Sequence, residues 1–219
     1  MKKQLKHLAL GLILVSVSAC GPLSQNSVAS QLGQAVATGL IGGAEQEAGN
    51  PTTSRDDSLN NTGQFILVNI RNQNRWDTAV RSGSNGNRST WVDSKNTSVT
   101  LENGIVVATR GLRRDLIAAD VSEVWRAIRQ GGGEAQRVHE FLTNIDGIST
   151  ELLQCRIVSE GPETIDQQQR RRNTTRFAEE CKSKRLQFAN VYWVNDAGVI
   201  IRSLQAASAE AGYLQIDIF

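Results

Sequence analysis

The hydrophobic and polar positions divide the chain into three parts. An almost uninterrupted apolar run, Leu8–Val17, follows a lysine-rich N-terminus. Residues 21–63 are rich in Ser, Gln, Asn, Gly, Ala and Thr, with one weak helical repeat of apolar residues. From Gln64 onward, short apolar or alternating runs recur between groups of Gly, Asn and Asp. Such runs between turn residues are typical of β-strands.

The alternation predicts a mainly β domain over residues 64–219. Strands are expected at residues 65–70, 76–80, 91–92, 98–101, 105–109, 138–142, 152–158, 188–194, 199–205 and 213–219. Asn103-Gly104 lies between two β-branched runs and predicts a hairpin, because Asn-Gly supplies the positive φ of a type I′ turn. The spacing of apolar residues over 121–128 indicates one short helix. The polar segment Asp166–Lys184 is expected to be a helix or a long loop.

This order of elements lacks the strand–helix–strand rhythm of a parallel sheet. We therefore predict a single antiparallel sandwich or barrel-like domain with one or two short helices. A cleaved signal peptide and a flexible tether are expected to precede it.

The N-terminus has the features of a secretory signal that ends in a lipobox. The apolar run is about ten residues long, whereas a membrane-spanning helix needs about 20. Val17-Ser18-Ala19-Cys20 resembles the cleavage site of bacterial lipoproteins. Residues 1–19 are then removed, and Cys20 carries a diacylglycerol and an acylated amine, for which palmitate is a typical chain. The alternative is an ordinary signal peptide in which Cys20 is coincidental. In enterobacterial lipoproteins, Asp after the cysteine tends to retain the protein at the inner membrane, so the resemblance, with Gly21 in that position, implies the outer membrane.

Residues 20–63 are interpreted as the lipidated cysteine and a flexible tether. A flexible chain of this length has a root-mean-square reach of roughly 35–40 Å. The tether would let the β domain stand away from the membrane surface.

The net charge of the chain limits the kinds of partner that it could bind. The full chain has 24 Lys and Arg against 22 Asp and Glu. Removal of residues 1–19 takes away Lys2, Lys3 and Lys6 and no acid, which leaves 21 against 22 and a net charge of −1. The chain after residue 19 is not basic overall, so its charge does not indicate nucleic-acid binding.

Cys155 and Cys181 form an even pair in an oxidising compartment and predict a disulfide, with two buried free thiols as the alternative. No metal site and no cofactor are expected.

Few residues indicate catalysis. His139 is the single histidine after residue 19, and we interpret it as a partly exposed strand residue. There is no Gly-x-Ser-x-Gly motif. A carboxylate pair for polysaccharide chemistry remains open, because such residues converge only in space. The acids available for it include Glu102, Asp115, Glu123 and Asp217. We expect that the protein is not an enzyme.

Two basic groups stand out in an otherwise acidic chain. The larger one is a candidate contact for an anionic polymer or for phosphorylated lipid headgroups. Its alternative is a solvated face or a loop. It comprises Arg170, Arg171, Arg172, Arg176, Lys182, Lys184 and Arg185. The smaller group is Arg110, Arg113 and Arg114.

Two segments carry a family resemblance. Residues 101–116 read LENGIVVATRGLRRDL, and residues 190–205 read NVYWVNDAGVIIRSLQ. With the lipobox and the two late cysteines, they resemble the group 4 capsule polysaccharide lipoproteins, the GfcB/YjbF family. The resemblance implies a mainly β lipoprotein without an established catalytic residue, and it gives the motif positions structural roles. These positions are Gly104, Thr109, Gly111, Leu112, Tyr192, Trp193, Gly198, Ser203 and Gln205.

The resemblance also implies a role in making or exporting exopolysaccharide or capsule at the outer membrane, facing the periplasm. The expected function is that of a non-catalytic binding or scaffold module. Its partners would be the membrane through the lipid anchor, the exopolysaccharide and other proteins of the secretion operon. The alternatives are an envelope enzyme that modifies the polysaccharide through an unrecognised Asp/Glu pair, and a purely structural lipoprotein.

Overall fold

The computed structural model describes residues 65–143 and 147–219. Twelve β-strands form a single antiparallel sheet in this part of the chain. The strands are β1 (Phe65–Ile70), β2 (Arg75–Asn85), β3 (Arg88–Asp93), β4 (Ser98–Glu102), β5 (Ile105–Arg110), β6 (Leu116–Asp120), β7 (Gly132–Leu142), β8 (Ile148–Gln167), β9 (Arg170–Lys182), β10 (Gln187–Asn195), β11 (Ile200–Ser208) and β12 (Gly212–Ile218). A helix α1 (Ser122–Arg129) precedes β7, and a 3₁₀ turn (Arg71–Gln73) follows β1.

The sheet is a nearly closed, barrel-like surface. Its strand order is β5-β4-β3-β2-β1-β12-β11-β10-β9-β8-β7-β6, so that the first and last strands of the domain pair with each other in the interior of the sheet. The two edge strands, β5 and β6, are consecutive in sequence. Arg110 of β5 bridges them, because its guanidinium donates to the carbonyl oxygens of Leu116 at 3.0 Å and Ile117 at 3.3 Å. The mainly β antiparallel class predicted from the sequence is therefore confirmed.

Every connection lies at one of two ends of the sheet. One end, which we call the hairpin end, contains the start of β1 and the β2–β3, β4–β5, β8–β9 and β10–β11 turns. The β5–β6, β7–β8, β9–β10 and β11–β12 connections lie at the other end, which we call the cleft end. Strands alternate in direction throughout, so this division follows from the topology.

The β8–β9 hairpin is the longest in the molecule and folds over the hairpin end. Gln167 near its tip is buried and donates to the carbonyl oxygens of Ile201 at 2.9 Å and Ile218 at 3.2 Å. Arg202 of β11 donates to the carbonyl oxygen of Asp166 at 2.9 Å. The register shifts between Ser159 and Gly161, where the hairpin extends past β7. These bonds fix the tip against β11 and β12.

The prediction for Asp166–Lys184 is wrong, because most of this segment is strand β9. Its inward positions include Phe177, Glu179 and Cys181, all of them buried. A charged residue on the inward face interrupts the alternation of apolar and polar residues that predicts a strand. The hydrophobic pattern therefore gave no strand signal there.

Most of the other elements agree with their predictions. The Asn103-Gly104 hairpin joins β4 and β5, and both residues have positive φ. The turn packs closely on β11, since a Cβ atom on Gly104 would lie 2.8 Å from the Cβ of Ile200. The apolar face of α1, including Val124 and Ile128, is buried. The short helix predicted over 121–128 is therefore confirmed.

Candidate functional site

The interior of the sheet contains a buried ion pair. Arg137 of β7 and Glu179 of β9 are both fully buried. Nη1 of Arg137 lies 3.1 Å from Oε2 and 3.3 Å from Oε1 of Glu179. Both side chains point inward, as do other buried side chains at alternate positions of the same two strands. Removal of two charges from water is unfavourable unless each keeps its full set of partners.

Glu179 has those partners. The hydroxyl of Tyr192 donates to its Oε2 at 2.6 Å, and the amide of Asn190 donates to the same oxygen at 2.5 Å. Asn190 in turn accepts a hydrogen bond from the backbone N–H of Ala206 at 2.8 Å. The carboxylate thus links β7, β9 and β10, and through Asn190 it also reaches β11.

The charges in this network act on one another. Burial by itself would lower the pKa of Arg137, but Glu179 and Tyr192 outweigh burial and raise that pKa above its usual value. Burial, followed by the negative charge of Glu179, raises the pKa of Tyr192 well above its ordinary value. The guanidinium therefore stays charged and the phenol stays neutral at every physiological pH.

The same network holds the edge strand β5 in place. Nη2 of Arg137 donates to the carbonyl oxygen of Val106 at 3.2 Å. The amide of Gln205 accepts from the N–H of Val106 at 2.9 Å and donates to the carbonyl oxygen of Gly104 at 3.0 Å. Gln205 also donates to Ser203 Oγ at 2.8 Å. The two motif segments, residues 101–116 and 190–205, therefore meet inside the sheet through side chain to backbone bonds.

His139 extends the network toward the cleft end. Nε of Arg137 donates to its Nε2 at 2.7 Å. Burial, and next the charge of Arg137, lower the pKa of His139 well below its ordinary value, so the imidazole is neutral. Because Nε2 accepts a bond, the proton lies on Nδ1, and this atom is buried without a hydrogen-bond partner. The prediction of a partly exposed His139 is wrong, since the side chain is 1% exposed.

A small cleft opens above His139 at the cleft end. Its enclosed space is about 10 Å³, which is room for about one water molecule. The imidazole stacks on Phe188, with ring centres 5.4 Å apart, and meets the edge of Phe141 at 5.7 Å. The remaining walls come from β11, the β9–β10 loop, the β11–β12 turn and β12. They are Leu186, Ala206, Ala207, Ser208, Ala209 and Tyr213.

The disulfide between Cys155 and Cys181 lies behind Glu179. The two cysteines face each other on β8 and β9, with Cα atoms 4.0 Å apart. Their sulfur atoms and a carboxylate oxygen of Glu179 lie within 4.8 Å of one another, which is a spacing that a metal ion could use. Both sulfurs are bonded to each other, however, so neither is a thiolate that could bind a metal.

A second recess lies between β1 and β4, also toward the cleft end. Its enclosed space is about 20 Å³, and its lining includes Trp91 and two carboxylates, Asp77 and Asp93. Arg75 forms ion pairs with both acids, and its Nη2 lies 3.6 Å from Asp93. Lys95 Nζ lies 3.4 Å from Asp77. Sequence analysis did not single out these two acids.

The acids that sequence analysis did name are dispersed. Glu102 pairs with Arg88 at the end of β4, whereas Asp115 accepts bonds from the backbone of the β5–β6 loop. Glu123 accepts from the N–H of Gln136 beside α1. Asp217 is buried on β12 in an ion pair with Arg202. Each carboxylate has its own structural partner, and the fold does not bring the four together.

The larger basic group is divided between the two ends of the sheet. Arg170, Arg171 and Arg172 are exposed at the start of β9, on the tip of the hairpin. Lys182, Lys184 and Arg185 are exposed around its other end. Strand β9 has 13 residues, and at about 3.3 Å per residue it separates these two groups by about 40 Å. The seven cations therefore do not form one continuous patch.

Arg176 differs from the other cations of the group. It forms ion pairs with Glu160 and, at 3.6 Å, with Glu163 of β8. Its guanidinium lies 5.8 Å from the ring centre of Trp193, and burial lowers its pKa. Its contacts are those of a residue that packs the hairpin onto β10.

The smaller basic group lies at the cleft end. Ser208 in the wall of the cleft donates to the carbonyl oxygen of Arg113 at 2.9 Å. Arg114 pairs with Glu210 at 3.2 Å, and its guanidinium lies 5.7 Å from the ring centre of Phe141. Arg185 in the β9–β10 loop pairs with Glu151 at 2.7 Å. Loops that carry arginines therefore border the cleft.

Cys20 and the predicted tether lie outside the described residues. Within residues 65–143 and 147–219, no helix has the length and apolar character that crossing a membrane requires.

Comparisons with known proteins agree with this fold. Residues 34–219 match the family described as "Group 4 capsule polysaccharide lipoprotein gfcB, YjbF", so the chain belongs to that family. The structure is similar to the crystal structure of the hypothetical lipoprotein YmcC from Escherichia coli (K12), with a TM-score of 0.60 and 19% identity over 70% of this chain and 81% of that one. Among curated proteins, no significant match to the sequence is found.

Sequence reasoning missed the buried ion pair. One signal was present: Arg137 and His139 occupy inward positions on β7, in line with Ala135 and Phe141. Two polar residues at alternate positions of an inward face predict an interior polar network. The partner on β9 could not be identified, because pairing between distant strands is not encoded in local spacing.

Proposed function

We propose that this member of the group 4 capsule polysaccharide lipoprotein family is an outer-membrane lipoprotein that supports assembly or export of an exopolysaccharide. It would act as a non-catalytic binding or scaffold module that faces the periplasm. Family membership supports the link to capsule polysaccharide and to a membrane-anchored place in the envelope. The lipobox at Cys20 supports the anchor.

The observation that carries a binding role is the sealed interior. Arg137, Glu179 and Tyr192 are fully buried and bonded to one another, so these ionisable groups of the core hold strands together. A rigid scaffold of this kind leaves the loops at its two ends to meet partners.

The topology shows which end of the domain the predicted tether joins. Strand β1 begins at the hairpin end, so the predicted tether joins the domain there. The exposed arginines at the hairpin tip then lie at the end where the tether enters, and the cleft end points away from it. With a reach of roughly 35–40 Å, the tether would let either end meet polymer near the membrane.

The divided basic group is the candidate polymer contact. Exposed cations attract a polyanion over about 8 Å at physiological salt, so such binding is salt-sensitive. Replacement of Arg170, Arg171 and Arg172 by Ala is compared with the matched change at the other end of β9, in which Lys182, Lys184 and Arg185 become Ala. Retention of the purified polymer is measured at low salt. Unchanged binding by both triple variants would remove the basic group from the proposal.

The experiment that tests the function is secretion of polysaccharide by a deletion strain. We expect a loss of secreted polymer that wild-type protein restores and a Cys20→Ala form does not. Restoration by both forms would contradict the role of the anchor. Unchanged polymer in the deletion strain would overturn the proposed function and favour a purely structural lipoprotein.

A second candidate function is a polysaccharide-modifying enzyme. It is favoured by the recess in which Asp77 and Asp93 lie together. Glycoside hydrolysis needs two carboxylates on either side of the scissile bond. Under this alternative, Asp77→Asn in the complemented strain changes the chain length of the secreted polymer as the deletion does. Normal polymer from the Asp77→Asn strain would favour the binding module.

A further inference from the structure

A transverse row of side chains crosses six strands on the outer face of the sheet, the face that points away from the core. Directly paired residues make up the row, in the order Val158, Ala178, Val191, Leu204, Gln215 and Asn69. Side chains alternate between the faces of a strand, and the neighbours of Asn69 on β1, Val68 and Ile70, belong to the core. Along the row, the exposed fraction falls from 42% at Val158 to 2% at Asn69. The outer face is therefore open to water at β8 and covered at β1.

The adjacent row on the outer face gives the same result. Leu67 of β1 pairs with Asp217 of β12, which in turn pairs with Arg202 of β11. Leu67 is 1% exposed, and yet it lies outside the cluster of buried residues that fills the interior. Neighbours in the same sheet flank an outward side chain but leave its tip open, and the outer face of an antiparallel sheet is commonly solvated. Burial of this degree indicates a second layer over β1.

Two polar atoms indicate the chemistry of that layer. Oδ1 of Asn69 and Nε1 of Trp193 are buried and have no hydrogen-bond partner in the described part of the chain. Trp193 of β10 pairs with Arg202, so its side chain also points outward. Three strand spacings, or about 14 Å, separate β10 from β1. One atom is an acceptor and the other a donor, so a covering layer has to supply uncharged polar groups as well as apolar ones.

The chain before β1 contains a segment with this composition. Val28, Leu32, Val36 and Leu40 recur at every fourth position, a spacing that places them on one side of a helix. Residues 28–40 contain no charged residue, and their polar side chains are those of Ser, Gln and Thr. As a helix, these residues would be about 20 Å long, which is enough to cover both β1 and β10.

The position of this segment in the chain also fits the outer face. Residues 41–64 connect it to Phe65, and a flexible chain of that length has a root-mean-square reach of roughly 27 Å. The segment can therefore reach the outer face of β1 without strain in the connection. The family match begins at residue 34, well before β1, so the matched unit is longer than the β domain.

We propose that residues 28–40 pack on the outer face of β10, β11, β12 and β1 as a second layer, with their apolar repeat over Leu67, Leu204 and Val191. The proposal goes beyond the proposed function, because it changes the length of the tether. Only residues 21–27 would then connect Cys20 to the packed segment, with a reach of roughly 15 Å in place of 35–40 Å. The domain would stay close to the membrane that holds its anchor.

The test is a distance between two nitroxide labels, measured by electron paramagnetic resonance on the chain from residue 20 onward with Cys20→Ser. Cys155 and Cys181 are bonded to each other, so labels attach only to introduced cysteines. One label is placed at Thr38→Cys and the other at Val80→Cys, an exposed residue of β2 that pairs with Phe65. We expect one narrow distance distribution. A flexible connection between Thr38 and Phe65 would instead give a broad distribution around roughly 30 Å, which would overturn the proposal.

Two matched variants test the apolar repeat. Leu32→Asp with Val36→Asp places two charges within the repeat. Ser30→Asp with Gln34→Asp places two charges at the same spacing on the opposite side of the helix. We expect the first variant to broaden the distance distribution and the second to leave it narrow, while far-ultraviolet circular dichroism shows the same β signal in both. An equal effect of the two variants would contradict packing through the repeat.

A mixture of singly labelled chains tests whether the segment covers its own domain. Chains labelled only at position 38 are mixed with chains labelled only at position 80, and we expect no narrow distance between them. A narrow distance in the mixture would assign the outer face to a second copy and overturn the proposal. These measurements involve no polysaccharide, so their failure would leave the proposed function standing. Unchanged polymer in the deletion strain would likewise leave the packed segment standing.

Discussion

Glu179→Gln removes one negative charge from the sealed interior and changes the side-chain volume little. In the native protein Glu179 accepts from Arg137, Asn190 and Tyr192, and the ion pair has no exposure to water. After the substitution, the guanidinium of Arg137 is a buried cation without a counter-charge. Loss of one partner of a buried pair typically costs about 3–5 kcal/mol.

A second contribution comes from hydrogen bonding. Glutamine has one acceptor oxygen where glutamate has two, and its amide group is a donor. Arg137 and Asn190 both present donors to this position, so at least one contact becomes donor against donor. The expected decrease in the free energy of unfolding is therefore about 3–5 kcal/mol, a large part of the roughly 5–15 kcal/mol typical of a domain.

The assay is urea unfolding followed by tryptophan fluorescence and far-ultraviolet circular dichroism. We expect a lower midpoint with an unchanged slope. The matched control is Glu180→Gln on the same strand, which is exposed and should change stability by less than about 1 kcal/mol. A Glu179→Gln variant within about 1 kcal/mol of wild type would refute the reasoning.

The double change Arg137→Met with Glu179→Leu tests the coupling. It removes both charges together, so we expect it to be less destabilising than Glu179→Gln alone. If the double variant is instead less stable than Glu179→Gln, the hydrogen bonds of the network stabilise the fold in addition to its balance of charges.

Three other predictions follow from the same core. Replacement of Cys155 and Cys181 by Ala should lower the free energy of unfolding by about 3 kcal/mol, because the disulfide closes a loop of 26 residues in sequence, and no change in urea midpoint would contradict this. Gly104→Ala should be more destabilising than its control Gly198→Ala: both residues have positive φ, but a Cβ atom at the first would lie 2.8 Å from an isoleucine side chain of β11, whereas the second has open space. The pKa of His139 is lowered in the folded state, so the stability that the neutral imidazole contributes is present above about pH 6.5 and is lost as pH falls, by up to about 1.4 kcal/mol per pH unit. His139→Gln should flatten the curve of unfolding free energy against pH below about pH 6.5. Parallel curves for the variant and the wild type would refute this prediction.

The predicted and observed structures differ where inward residues are polar. Strands such as β1 and β12 could be identified from apolar runs, and the β4–β5 hairpin from Asn-Gly, because these signals are local. Strand β9 was missed because Glu179 takes an inward position that an apolar residue usually occupies. The same residue that obscured the strand is the acid of the buried network.

The basic group shows a second kind of limit. Seven cations within sixteen residues of sequence suggest one patch, but an extended strand places its two ends about 40 Å apart. The cations are close to one another only along the sequence. Conversely, Arg113 and Arg185 are distant in sequence, and the loops that carry them border the same cleft.

By itself, the sequence determined the mainly β antiparallel class, the family and the cysteine pair, since each rests on local composition or on a motif. The anchor at Cys20 stays a prediction from the lipobox. Tertiary structure alone decided that Arg137, Glu179 and His139 form one network and that Nδ1 of His139 is buried without a partner. These features depend on which distant strands pair and in what register, and register turns each side chain inward or outward. Local spacing does not contain that information.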